Sequence, residues 1–137
     1  MVKSTGIYTG GFNCQLTHGP SGVGIETDAP VDNHGRGQAF SPTDLTTASL
    51  ASCMVTTMAI AAKVKLGIDL PGVRWAVSKD MSTDQPRRIV RIATEIWIPF
   101  ARSIDPQGVL EKAALNCPVK HSLNPAIEQP VVFHWAE

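Results

Sequence analysis

Apolar and polar residues alternate with a period of two in residues 12–16 (Phe12-Asn13-Cys14-Gln15-Leu16) and 23–27, near the start of the chain. With residues 5–9 before them, and with Gly10-Gly11 and His18-Gly19-Pro20-Ser21-Gly22 as the separating turns, they predict three strands. Residues 28–40 then lose the pattern. They carry Pro30, Asn33, His34, Gly35, Arg36 and Gly37, and a connection this long and polar is a candidate functional loop. The period changes at Ser41. Ser41 is placed to cap a helix, with Pro42 at its first position and Asp44 where a carboxylate reaches back in a capping box. The helix is expected to run to about Leu66, where Gly67 supplies a left-handed stop and Lys63 and Lys65 suit the negative end of the dipole. Such a helix is about 37 Å long. Its middle carries no charge and no polar side. A helix of that kind must be surrounded, and a chain of 137 residues has little to surround it with, so burial in a homo-oligomer is expected.

Residues 73–80 read as a further strand and 81–86 as a turn. In residues 88–99, Val90, Ile92, Thr94, Ile96 and Ile98 form the more apolar face of a half-buried strand. Asp105-Pro106 is read as the start of a second helix that aligns Val109, Leu110, Ala113, Ala114 and Cys117. Pro118 opens a short helical turn to Leu123, and residues 131–135 form a last strand. The order is strands, long helix, hairpin, helices, strand. The expected class is α+β, as a single domain over 1–137.

Charge narrows the function. Twelve basic residues balance twelve acidic ones, and the only adjacent basic pair is Arg87-Arg88. No basic stripe exists for nucleic acid. The uncharged run 45–62 approaches the lower limit of a membrane span, but it holds six Ser or Thr and is bounded by Asp44 and Lys63. It is read as a helix buried in protein, with no membrane partner. Residues 1–6 lack the apolar stretch of a secretory leader, and three cysteines do not make a disulfide framework. The expected compartment is the cytoplasm.

The cysteines are the residues with chemistry to offer. Cys53 sits mid-helix with Ser49, Leu50, Thr56 and Thr57 as helical neighbours. It is either a core residue or a reactive thiol. It lies beyond the reach of the helix dipole, and an apolar surrounding disfavours a thiolate, so reactivity needs a cation from elsewhere. The loop offers Arg36 and His34. Cys117 precedes Pro118 and takes an N-cap position, where free backbone N–H groups favour a thiolate; by that argument it is the more acidic thiol. His121 follows by four residues as a base, a hydrogen-bond partner or a surface histidine. Cys53, Cys117 and His121 would be only three metal ligands, without the C-x2-C pair that anchors structural zinc. Cys14 is read as packing, and His18 and His134 as surface or structural residues.

Together, Phe40-Ser41-Pro42-Thr43-Asp44-Leu45, Ala48-Ser49-Leu50-Ala51-Ser52-Cys53-Met54 and Asn116-Cys117-Pro118-Val119-Lys120-His121-Ser122-Leu123 resemble the OsmC/Ohr family of osmotically inducible and organic hydroperoxide resistance proteins. The resemblance implies an intertwined homodimer with two long helices packed between sheets. It also implies thiol-dependent reduction of organic hydroperoxides, with Cys53 as peroxidatic thiol, Cys117 as resolving thiol, a cellular dithiol of lipoyl type as reductant, and no cofactor or metal. The family pairs a glutamate near the start of the long helix with an activating arginine. Here Asp44 stands at the glutamate position, one methylene shorter and with a competing role in the cap, and Arg36 is the candidate arginine. That departure keeps a second function in view: a weakly active or non-enzymatic dimer that binds a small apolar ligand. A purely structural role has no positive feature behind it.

Overall fold

The computed structural model describes all 137 residues as an α+β protein with six strands and three α-helices. Two compact units divide the chain, Met1–Thr46 and Thr47–Glu137.

In the N-terminal unit, β1 (Ser4–Gly10), β2 (Asn13–His18) and β3 (Gly24–Asp28) form an antiparallel sheet in chain order. Gly10, Gly11 and Phe12 all have positive φ, a path that glycine takes without strain and that lets β1 turn into β2 within two residues. Cys14 faces Tyr8 on one side and Thr27 on the other. The loop after β3 is held down by backbone bonds from Ala29 N–H to Phe12 O (3.1 Å) and from Gly37 N–H to Ala29 O (3.2 Å). A side chain at Gly35 would run into the Ala29 carbonyl, so this bend requires glycine. Most of β1 and β2 stays exposed, including Ile7 and Tyr8. The helix then starts as expected: Ser41 N–H donates to Asp44 Oδ2 (2.9 Å) and Asp44 N–H donates to Ser41 Oγ (3.1 Å), the reciprocal capping box.

The helix itself, α1 (Pro42–Ala61), leads into a widened π turn at Ala62–Leu66 that ends at left-handed Gly67. The expected helix is present, its last turn loosened. In the C-terminal unit, β4 (Arg74–Met81) pairs antiparallel with β5 (Ile89–Ile98), and β6 (Val131–Trp135) lies parallel to β5 on its other side. The predicted inner face of β5 is buried at Ile92, Thr94, Ile96 and Ile98. It shares one core with Leu50, Met54, Met58 and Ala62 of the long helix and with Leu110, Ala114 and Cys117. Each large apolar side chain sealed there contributes about 1.5–3 kcal/mol. By length and composition the 25-residue span Pro42–Leu66 could cross a membrane; here one face of it builds a protein core.

The second helix starts later than the sequence reading placed it. Asp105-Pro106 lies before it, Gly108 takes a left-handed conformation, and α2 covers Val109–Ala114. Asp105 acts from a distance: its two carboxylate oxygens accept from Val109 N–H and Leu110 N–H, both at 2.8 Å. Because Asp105 is buried, Asp105→Ala is expected to lower stability by about 1–2 kcal/mol. A urea midpoint equal to that of the parent would show that these bonds contribute nothing net. Cys117 then precedes α3 (Pro118–Ser122).

Candidate functional site

Cys53 lies on the half-buried side of α1, packed against the core of the C-terminal unit. Its sulfur is 4.0 Å from the hydroxyl of Thr57, one turn further on. Cys117 reaches the same place from the other end of the sequence. Its backbone is extended (φ −72°, ψ 150°), Pro118 follows at the first helical position, and its sulfur accepts from Lys120 N–H at 3.4 Å. That N-cap geometry was legible in the Cys-Pro step. On either flank, His121 Nε2 and the Asn116 side-chain oxygen are hydrogen-bonded, clipping the turn that carries the sulfur.

The two thiols are neighbours: Cys117 belongs to the buried core cluster and Cys53 packs against that cluster, close enough for one thiol to act electrostatically on the other. Residues 64 positions apart are thus brought into one cluster, and Cys117 is fully buried while Cys53 is not. Electrostatics at Cys117 correct one expectation. Burial pushes its thiol above the ordinary value, the neighbouring Cys53 sulfur pushes the same way, and the Lys120 and Val119 N–H groups oppose both without prevailing. The helix end is there, but desolvation outweighs it. The argument that made Cys117 a readily ionised thiol fails on burial, which the sequence around it did not reveal.

Arg36 and Asp44 belong to the N-terminal unit. The Arg36 side chain is exposed and lies across the Gly10-Gly11 turn, 3.7 Å from where a Cβ on Gly11 would sit. Asp44 is occupied in the capping box. His34 is exposed with a left-handed backbone (φ 70°). Cys14 lines an apolar cavity of about 620 Å³ in this unit, together with Ile7, Tyr8, Leu16 and Leu45.

The remaining histidines have structural partners. His18 bonds Ser21 at 2.6 Å, and His134 bonds Glu95 at 2.8 Å while stacking on Trp97 (centroids 5.2 Å apart, planes 11° from parallel). No group of three or more His, Cys, Asp or Glu side chains is placed to hold a metal ion. Of the Cys53, Cys117 and His121 set considered from the sequence, His121 is engaged by Asn116. The arrangement that remains is chemically simple. A partly accessible thiol lies beside a sealed one in the same packed cluster.

Comparison with known proteins gives the site a context. The family model described as OsmC-like protein matches residues 35–129. A crystal structure from Psychrobacter arcticus, of a protein assigned to an osmotic stress induced and detoxification response, is 40% identical; the match covers 98% of this chain and 96% of that one, with a TM-score of 0.88. The organic hydroperoxide resistance protein OsmC of Legionella pneumophila is 17% identical over 98% of this chain and 96% of its own, with a TM-score of 0.76. An organic hydroperoxide resistance protein of Elizabethkingia anophelis is 18% identical over 98% and 95%, with a TM-score of 0.75. The last two share the fold. No curated protein sequence matches the chain.

Proposed function

This chain belongs to the OsmC-like protein family, and from that premise we propose that it is a thiol-dependent peroxidase that reduces organic hydroperoxides to alcohols. The observation that carries the reading is that Cys53 and Cys117 come together in one packed cluster, near enough for one thiol to act on the other. In the first step the Cys53 thiolate attacks the distal peroxide oxygen. An S–O bond forms as the O–O bond breaks, the sulfur gives up two electrons, and the alkoxide takes a proton and leaves as the alcohol. Cys117 then attacks the Cys53 sulfur; the S–S bond forms, and hydroxide leaves with a proton as water. A cellular dithiol, lipoyl-type in this reading, returns two electrons and two protons by exchange. The division of roles follows accessibility, since a sealed Cys117 has no route to peroxide and a partly open Cys53 has one. Arg36 is carried in this reading as the activating cation and Asp44 as its carboxylate.

Reduced protein given one equivalent of an organic hydroperoxide should yield one equivalent of alcohol per chain. No alcohol above the buffer rate would reject the reading. The resolving step should also depend on pH in a set direction. Resolution needs the Cys117 thiolate, and burial holds that thiol above its ordinary range. Across neutral pH its ionised fraction, and with it the rate of disulfide formation, should rise about tenfold per pH unit. Acid quenching and mass spectrometry after a single peroxide addition would read this rate; a flat profile from pH 6 to pH 9 would remove thiolate attack by Cys117 from the mechanism.

A homodimer is part of the proposal. The stripe Ser49, Ser52, Thr56, Ile60 and Val64 on the long helix is exposed in the single chain, as is most of the N-terminal sheet. An uncharged stripe that carries exposed Ile60 and Val64, with Ile7 and Tyr8 exposed on the sheet, calls for a cover, and a second copy with twofold symmetry is the cover proposed. The proposed setting is the reducing cytoplasm. The apolar cavity beside Cys14 favours a second reading, a dimer that holds a small apolar ligand. A native mass spectrum with a bound small molecule, and no loss of that ligand in Cys53→Ser, would favour it over turnover.

A further inference from the structure

Resting on the peroxidase reading, we propose that Thr57 is a catalytic residue of the Cys53 site, a hydroxyl that donates to the Cys53 sulfur in its thiolate and sulfenic states. Three hydroxyl side chains surround Cys53 at helical spacing: Ser49 a turn before, Thr56 and Thr57 a turn after. Ser49 and Thr56 are exposed, whereas Thr57 is half-buried with its Oγ1 4.0 Å from the sulfur. The direction is set by the helix. Side chains lean toward the N-terminus, so residue i+4 lies over residue i, and Thr57 reaches back onto Cys53.

A threonine in mid-helix can also bond the carbonyl four residues earlier, here that of Cys53 itself. That carbonyl is a competing acceptor, whereas in the structure the hydroxyl is paired with the sulfur. While the sulfur is a neutral thiol, 4.0 Å is the long end of a sulfur hydrogen bond, and the two acceptors compete. Once the sulfur carries charge, a charge-assisted bond is the stronger of the two, and catalytic bonds that are long in the resting protein tighten in this way. In the sulfenic state the same hydroxyl donates to the new oxygen. No bond within Thr57 breaks and its proton stays in place.

Cys117 is the titratable neighbour of Cys53 in the core cluster, so the test removes it and isolates one thiol. In a Cys14→Ser/Cys117→Ser background, the iodoacetamide alkylation rate of Cys53 is followed against pH. Thr57→Val keeps the shape and deletes the donor. It should slow alkylation at pH 7 by about three- to tenfold and move the midpoint upward by roughly half to one pH unit, and Thr57→Ser should restore both. Should valine disturb the packing, Thr57→Ala deletes the same donor and should move the profile in the same direction. Profiles for Val and Ala that superimpose on the parent would overturn the proposal, as would a Ser variant as slow as Val, which would assign the effect to the methyl group. The readout needs no peroxide, so a protein that makes no alcohol would sink the peroxidase reading while leaving the role of Thr57 decided by alkylation alone.

Discussion

Replacing Cys53 by serine should reduce peroxide consumption by about 10³-fold or more, because an alcohol side chain has no counterpart to the thiolate at neutral pH. Replacing Cys117 should give a different failure. Serine is a preferred N-cap residue, so Cys117→Ser should keep α3 and the fold. One molecule of alcohol should still be released per Cys53, after which the enzyme stops with the sulfenic acid in place, open to capture by a cyclic 1,3-dione. Cys14→Ser should match the parent. The contrast between these variants separates two thiols with distinct roles from a site in which either sulfur will do. Equal losses in both, with no sulfenic adduct in Cys117→Ser, would contradict the assignment.

The second large effect concerns assembly. Ile60 is 59% exposed and Val64 is 77% exposed on the long helix, opposite a face that is sealed at Leu50, Met54 and Met58. If a second copy covers that stripe, Ile60→Asp places an unpaired carboxylate in the interface of both subunits. Burying such a charge costs several kcal/mol. Even about 3 kcal/mol per subunit, doubled by twofold symmetry, weakens Kd by about 10⁴-fold. Light scattering on an eluting peak should then report one chain where the parent reports two, while circular dichroism stays unchanged because the core face is untouched. A parent that already runs as a single chain would remove the dimer from the account.

Much of this was written locally in the sequence. The capping box at Ser41 and Asp44, the buried row on β5 and the N-cap position of Cys117 each depend on residues within a few positions of one another, and each forms as read. What failed depended on an unusual local reach or on tertiary surroundings. α2 begins at Val109 because Gly108 takes a left-handed turn and Asp105 caps from four and five residues away, a reach that spacing rules for a first helical turn do not cover. The acidity argument for Cys117 counted the N–H groups of its own helix and could not see the core closing over it. Likewise the packing of Cys53 and Cys117 into one cluster is tertiary; its expectation came from resemblance, and spacing alone does not imply it. Thr57 was visible as a helical neighbour; only coordinates single it out from Ser49 and Thr56.

Disulfide mapping by mass spectrometry, after one equivalent of an organic hydroperoxide is added to fully reduced protein, tests the central claim most directly. The account predicts a single intramolecular bond between Cys53 and Cys117, with Cys14 still free. A bond that involves Cys14, a link between two chains, or oxidised Cys53 with no bond to Cys117 at any pH would contradict it.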